Sequence, residues 1–183
     1  MHLYRLSGLV CLGFVLFSSC QPEAAIVERP PFFSLADYID QEVQRLDSLR
    51  PEVKKTITFN GEQEAHTFDT LDFANELSAF RRADINRPSW LELYSVDSTQ
   101  QDGHLQRLLY KALDEELKTQ ELQVEWTADH HVSRIKVVTR SSTVLSAGKQ
   151  ELTYDPGKGY QIASRQESQA ARPVDILIDA RFQ

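Results

Sequence analysis

The residue types able to do chemistry are few and scattered. His130 and His131 follow Asp129 and make the most metal-like local group in the chain. Adjacent residues on a strand point to opposite faces, so the doublet cannot chelate as an HxxxH helix or an HxH strand does. It reads instead as a solvated hairpin tip. His66 and His104 stand alone in polar segments and read as surface residues. Asp84 and Asn86, with Asp69 and Asp72, offer oxygen atoms for calcium, but EF-hand spacing is missing and caps and turns use the same residues. Gly157 and Gly159 precede no helix and no Gly-Lys-Ser/Thr run, so they read as a hairpin turn rather than a phosphate loop. No serine sits in a G-x-S-x-G elbow. Arg134, Lys136 and Arg140 share one side of a predicted strand, the arrangement needed for contact with an anion or a partner. Glu125 and Glu151 on flanking strands offer the plainer alternative of cross-strand pairing. No catalytic residue, metal site or cofactor is expected.

Before those residues comes a segment of a different kind. Arg5 is followed by an uncharged, mostly apolar run from Leu6 to Phe17, then by Ser18, Ser19 and Cys20. A helix needs about 20 apolar residues to cross a bilayer, so the run is too short to span and suits a signal peptide. Phe17-Ser18-Ser19-Cys20 resembles the lipobox of bacterial lipoproteins, with Phe17 in place of the usual aliphatic residue. The resemblance implies lipid on the Cys20 sulfur and cleavage just before it, leaving residues 1–19 as leader. Gln21 rather than Asp after the cysteine implies export to the outer membrane. Each buried methylene contributes about 0.8 kcal/mol, and two or more chains anchor a soluble domain stably.

Cleavage removes Cys11 and Arg5, and lipidation occupies Cys20. The mature chain would then hold no free thiol and no disulfide, so packing alone must stabilise it. It keeps 19 basic against 27 acidic residues, a net charge of −8. Such a surface has little general attraction for nucleic acid, and no dense Lys/Arg run appears. The 164 residues from Cys20 onward suffice for one domain with a real core.

The elements follow from spacing. Residues 20–33 read as a lipidated cysteine and tether stiffened by Pro30-Pro31, and 34–183 as one domain. Ser34 opens a helix with Asp37 in a capping box and Phe33 stapled on Tyr38. Leu35, Ile39, Val43, Leu46 and Leu49 line its buried face, Asp40, Glu42, Arg45 and Asp47 its solvated one, and Pro51 ends it. Val53 to Phe59 and Glu62 to Phe68 flank Asn60-Gly61, a type I′ hairpin whose polar second strand belongs at an edge. A second helix is predicted over 70–83 with Asp69 as N-cap and Phe73, Leu77 and Phe80 buried, then a strand from Trp90 to Val96. Residues 104–117 fit a helix by spacing and a strand, Arg107 to Leu113, by the resemblance given below; the strand is preferred. From Leu122 onward the alternation is that of sheet. With His130-His131 as the loop, Trp126 is expected opposite Ile135 and Val124 opposite Val137, since a one-residue slip would set Trp126 against Arg134. Around Asp155–Gly159, Tyr154 is expected near Tyr160 and Leu152 near Ile162. Val174, Ile176, Ile178, Ala180 and Phe182 alternate in a final half-buried strand.

Together these predict an α+β domain: a single antiparallel meander sheet, at most a half-barrel, with two N-terminal-half helices packed on one face. The stretches Asp69 to Phe80, Ala83-Asp84-Ile85-Asn86-Arg87-Pro88-Ser89-Trp90 and Leu152 to Tyr160 resemble an uncharacterised lipoprotein family of Bacteroidota-type bacteria. That family has no assigned activity to carry over. The expectation for function is a non-catalytic envelope lipoprotein with an accessory or binding role, its partners the membrane, an envelope protein or an apolar ligand. The alternative is an interaction module that docks a larger complex through a sheet edge or the 53–68 hairpin; a hydrolase or metal enzyme is the least favoured reading.

Overall fold

The computed structural model describes residues 32–183. Cys20, the leader and most of the tether lie outside the described residues. Phe32 is already core, packed edge-on against Tyr94 and Tyr110, and Phe33 packs against Trp126. The packed fold therefore takes in the last two residues of the stretch expected to be tether.

Helix α1 (Leu35–Leu49) starts where its capping box predicts. The Ser34 hydroxyl accepts from the Asp37 N–H and donates to its carboxylate, and the Phe33 ring lies 5.7 Å from Tyr38. Arg50 closes the helix in the left-handed region, its N–H bonded to the Leu46 carbonyl. Strands β1 (Val53–Phe59) and β2 (Glu62–Phe68) form the expected hairpin in the expected register, with positive φ at Asn60 and Gly61. Two single-turn helices follow, α2 (Phe73–Glu76) and α3 (Ser78–Arg81), and then a 3-10 turn, Pro88–Trp90.

This replaces the continuous helix predicted over 70–83 and the strand predicted from Trp90. The Asp72 side chain, not that of Asp69, accepts the Asn75 N–H and starts the helix later, and Leu77 breaks it in the middle. The predicted stripe survives the break: Phe73, Leu77 and Phe80 are all buried.

Seven strands complete the sheet. They are β3 (Tyr94–Gln101), β4 (His104–Ala112), β5 (Thr119–Trp126), β6 (Val132–Ser142), β7 (Ser146–Asp155), β8 (Gly159–Ser168) and β9 (Ala171–Phe182). Residues 104–112 are strand, three residues earlier at the start than the preferred reading of Arg107 to Leu113. The order is β2-β1-β9-β8-β7-β6-β5-β4-β3, all neighbours antiparallel. The meander from β3 to β9 thus returns to pair its last strand with β1. β2 and β3 form the two edges.

One face carries the core. Leu122, Val124, Ile135, Val137, Leu152, Tyr154, Tyr160 and Ala180 project from it and meet Leu35, Ile39, Leu46, Phe73, Leu77 and Phe80 of the helices. Fully buried side chains as large as Tyr154 and Phe80 fill this interface. The β5–β6 pairing keeps the predicted parity but is displaced by two residues: Val124 faces Ile135 and Leu122 faces Val137. The displacement comes from a longer turn, closed between Thr127 and His131 with His130 in the left-handed region, and from a bulge after Glu125. Tyr154 opposite Tyr160 and Leu152 opposite Ile162 stand as expected.

Gly159 ends the β7–β8 turn at φ +135°, and a Cβ there would lie 1.9 Å from the Ala180 carbonyl oxygen. Both backbone conformation and close approach require glycine. Gly159→Ala is expected to cost about 2–4 kcal/mol in denaturant unfolding, whereas Gly157→Ala, with nothing within 4 Å, should change stability little.

Candidate functional site

The sequence-selected residues separate into those that hold the fold and those that face solvent. Asp84 and Asn86 belong to the first group. The Asp84 carboxylate accepts N–H bonds from Ala36 in the first turn of α1 (3.0 Å) and from Asn86 (2.7 Å). The Asn86 side chain accepts from the Phe32 N–H and donates to the Phe33 carbonyl. The pair ties the entry of α1 to the loop after α3, with the negative charge where the helix dipole favours it. Asp72 caps α2, while Asp69 lies in a separate cleft with Asp47 and Arg50, so the four oxygen donors are not gathered into one site.

The histidines need one revision. His130 and His131 are exposed at the β5–β6 turn, as read, but His104 does not stand alone. Its ring meets His130 edge-to-face at 4.7 Å, because the start of β4 and the β5–β6 turn lie at the same end of the sheet. Sequence separation concealed that contact.

Glu42 is the clearest reversal. Expected on the solvated side of α1, it is 8 % exposed. Its carboxylate accepts from the Tyr154 hydroxyl at 2.6 Å and from the Arg45 guanidinium at 2.7–3.2 Å, and Arg45 also donates to the Pro156 carbonyl. Leu49, expected in the core, is instead 63 % exposed. The sheet supplies a buried phenol where α1 crosses it, and a buried hydroxyl needs an acceptor. The buried edge of the helix therefore shifts toward Glu42.

A second carboxylate does similar work nearby. Glu76 of α2 accepts from the Lys55 ammonium at 2.7 and 2.8 Å and from the Tyr160 hydroxyl. Burial first, and then the carboxylate bond, raises the pKa of both Tyr154 and Tyr160 well above the ordinary tyrosine value. The shift runs away from neutral pH, where a proton-transfer group works best, so these hydroxyls act as fixed donors.

The open face of the sheet is polar, and the three cations named from the sequence lie on it. Arg134 forms a two-pronged pair with Asp155 at 2.8 and 3.1 Å, and this hydrogen bond raises its pKa. Glu125 stands opposite Arg134 in register, so one of the two suggested acids is a true cross-strand neighbour. Glu151 is engaged with Lys149 instead. Arg140 is six residues along β6 from Arg134, roughly 20 Å away, so the three cations do not converge on one ligand. Arg140 instead lines an open cleft of about 990 Å³ with Lys118, Lys149 and Arg165, together with Glu115, Glu116 and Glu167. Lys118, Lys149 and Arg165 were not singled out from the sequence; only the strand register puts them beside Arg140. No protein-family profile, curated protein or solved structure matches this chain.

The tyrosine shifts set a direction for alkaline stability. An unfolded tyrosine ionises near pH 10, whereas Tyr154 and Tyr160 stay protonated well beyond it in the fold. Their contribution is fully present below pH 10 and is lost as pH rises above it, because the unfolded state then releases the protons first. Unfolding midpoints should fall as the pH is raised above 10. Tyr154→Phe should flatten that fall and cost about 1–2 kcal/mol at pH 7, because the buried Glu42 carboxylate loses its phenol donor.

Proposed function

We propose that this protein is a membrane-tethered lipoprotein of the cell envelope, held through Cys20, with a non-catalytic accessory or binding role. The observation that carries the reading is the order of residues 5–20: one cation, a short apolar run, two small residues and a cysteine. The packed fold offers a compatible partner to such a tether. Phe32 belongs to its core, and residues 21–31, which include Pro30 and Pro31, would reach about 30 Å if extended. Among the described residues no helix is long and apolar enough to cross a membrane. In this reading the lipid supplies the attachment and the domain meets its partners close to a bilayer, at the outer membrane by virtue of Gln21.

A second reading has its own observation. β2 is an edge strand whose residues Glu62 to Thr67 are all exposed, and an exposed edge can accept a further strand from another protein. Docking through the 53–68 hairpin would make the protein a component of a larger envelope complex. Co-purification of a stoichiometric partner after gentle detergent extraction, lost on replacing Ala65 by Pro, would favour it.

The tether is tested by Cys20→Ala. The variant should leave the membrane fraction or keep its leader uncut, and metabolic labelling with radioactive palmitate should disappear. Normal processing together with unchanged membrane retention would overturn the reading.

A further inference from the structure

Two rows of charge cross the open face of the sheet, and they are built differently. The lower row alternates in sign. Arg107 stands opposite Glu125, Glu125 opposite Arg134, and Arg134 pairs with Asp155. Six residues further along β6, the register sets like charges side by side. Arg140 stands opposite Lys149, and Lys149 opposite Arg165. On the other flank the Arg140 N–H bonds to the Lys118 carbonyl, which extends the row by one more cation. Lys118, Arg140, Lys149 and Arg165 are thus consecutive across four neighbouring chain segments. At about 4.8 Å between strands the row is roughly 14 Å long.

Directly opposed like charges destabilise an antiparallel pair, and the same sheet shows in its lower row how such contacts are made complementary. Part of the repulsion is relieved internally. Lys149 pairs with Glu151 at 2.5 Å, and Arg165 pairs with Glu167 at 2.9 Å and Asp175 at 3.3 Å. Arg140 and Lys118 form no ion pair among the described residues. Both are exposed and line the cleft, whose carboxylates are Glu115 and Glu116 on the β4–β5 loop and Glu167, already paired with Arg165.

We propose that this row is a binding site for phosphate groups presented in series. Guanidinium and ammonium donors at strand spacing match a ligand bearing more than one anionic oxygen cluster, and Arg140 supplies the planar fork suited to phosphate. Two sources present that chemistry: a free oligophosphate, and phospholipid headgroups. The β6–β7 turn beside the row carries Val144 and Leu145, 89 % and 66 % exposed, which is the feature a headgroup source would use. The site does not depend on lipidation of Cys20, and it stands or falls separately from the tether.

The test is a titration of the full chain in neutral dodecyl maltoside micelles, followed through backbone amide NMR shifts. One arm adds sodium tripolyphosphate, and the other introduces phosphatidylglycerol into the micelles. Saturable shifts centred on Arg140, Lys149 and Arg165 are expected in at least one arm, diminishing as salt is raised. Lys118→Gln with Arg140→Gln, both at exposed positions, should weaken binding about tenfold, and Arg134→Gln in the alternating row should leave it unchanged. Response to tripolyphosphate alone identifies a free phosphate ligand. Response to phosphatidylglycerol alone identifies the headgroup, and response to both shows that the site reads the phosphate itself. The proposal fails if neither arm saturates, if the double variant binds as tightly as the wild type, or if Arg134→Gln weakens binding equally.

Discussion

Tyr154 stands where the layers of this protein meet. Its ring is fully buried on the core face of β7, 5.9 Å from Phe80 of α3, and its hydroxyl reaches Glu42 of α1. One side chain therefore joins both helical segments to the sheet. The apolar area it buries favours the contact without direction, and the hydroxyl adds direction because a buried donor left unpaired costs about 1–3 kcal/mol. Glu42 must then be turned inward, Arg45 must follow to neutralise it, and the Pro156 carbonyl accepts a further N–H from the same guanidinium. Lys55, Glu76 and Tyr160 repeat the arrangement one strand away. Two polar clamps thus set how the helices lie on a sheet whose apolar face alone would tolerate several positions.

The other face is under no such constraint, and its charges can be arranged for something other than stability. Where stability decides, as from Arg107 through Glu125 and Arg134 to Asp155, the sign alternates from strand to strand. Where it does not, Arg140, Lys149 and Arg165 stand together. Because the chain is negatively charged overall, any anion held at this row would owe its binding to contact rather than to the long-range field.

Much of the local structure is legible in residue order. Asn60-Gly61 specified a hairpin to the residue, Ser34 and Asp37 marked the start of α1, and alternation marked the later strands. The misreadings share a cause. Glu42 was read as solvated because helix periodicity knows nothing of the phenol that waits on β7. The β5–β6 register moved by two because a bulge and a left-handed His130 lengthen the turn without disturbing the alternation. Asp72 displaced Asp69 as cap because both are good caps and tertiary packing of Phe73, Leu77 and Phe80 chose between them. Of the candidate cations, Arg140 was visible and its three neighbours were not, since they are separated from it in the chain and meet only by register.

The sequence by itself determined the α+β class, the hairpin and which face of most strands is buried, because these follow from short-range spacing, turn chemistry and period-two alternation. Tertiary structure alone decided the pairing of β9 with β1, the inward turn of Glu42, the meeting of His104 with His130 and the assembly of Lys118, Arg140, Lys149 and Arg165 into one row. Each of those depends on residues far apart in the chain being brought to the same place. The position of a charge along one strand does not say which charge will stand beside it on the next.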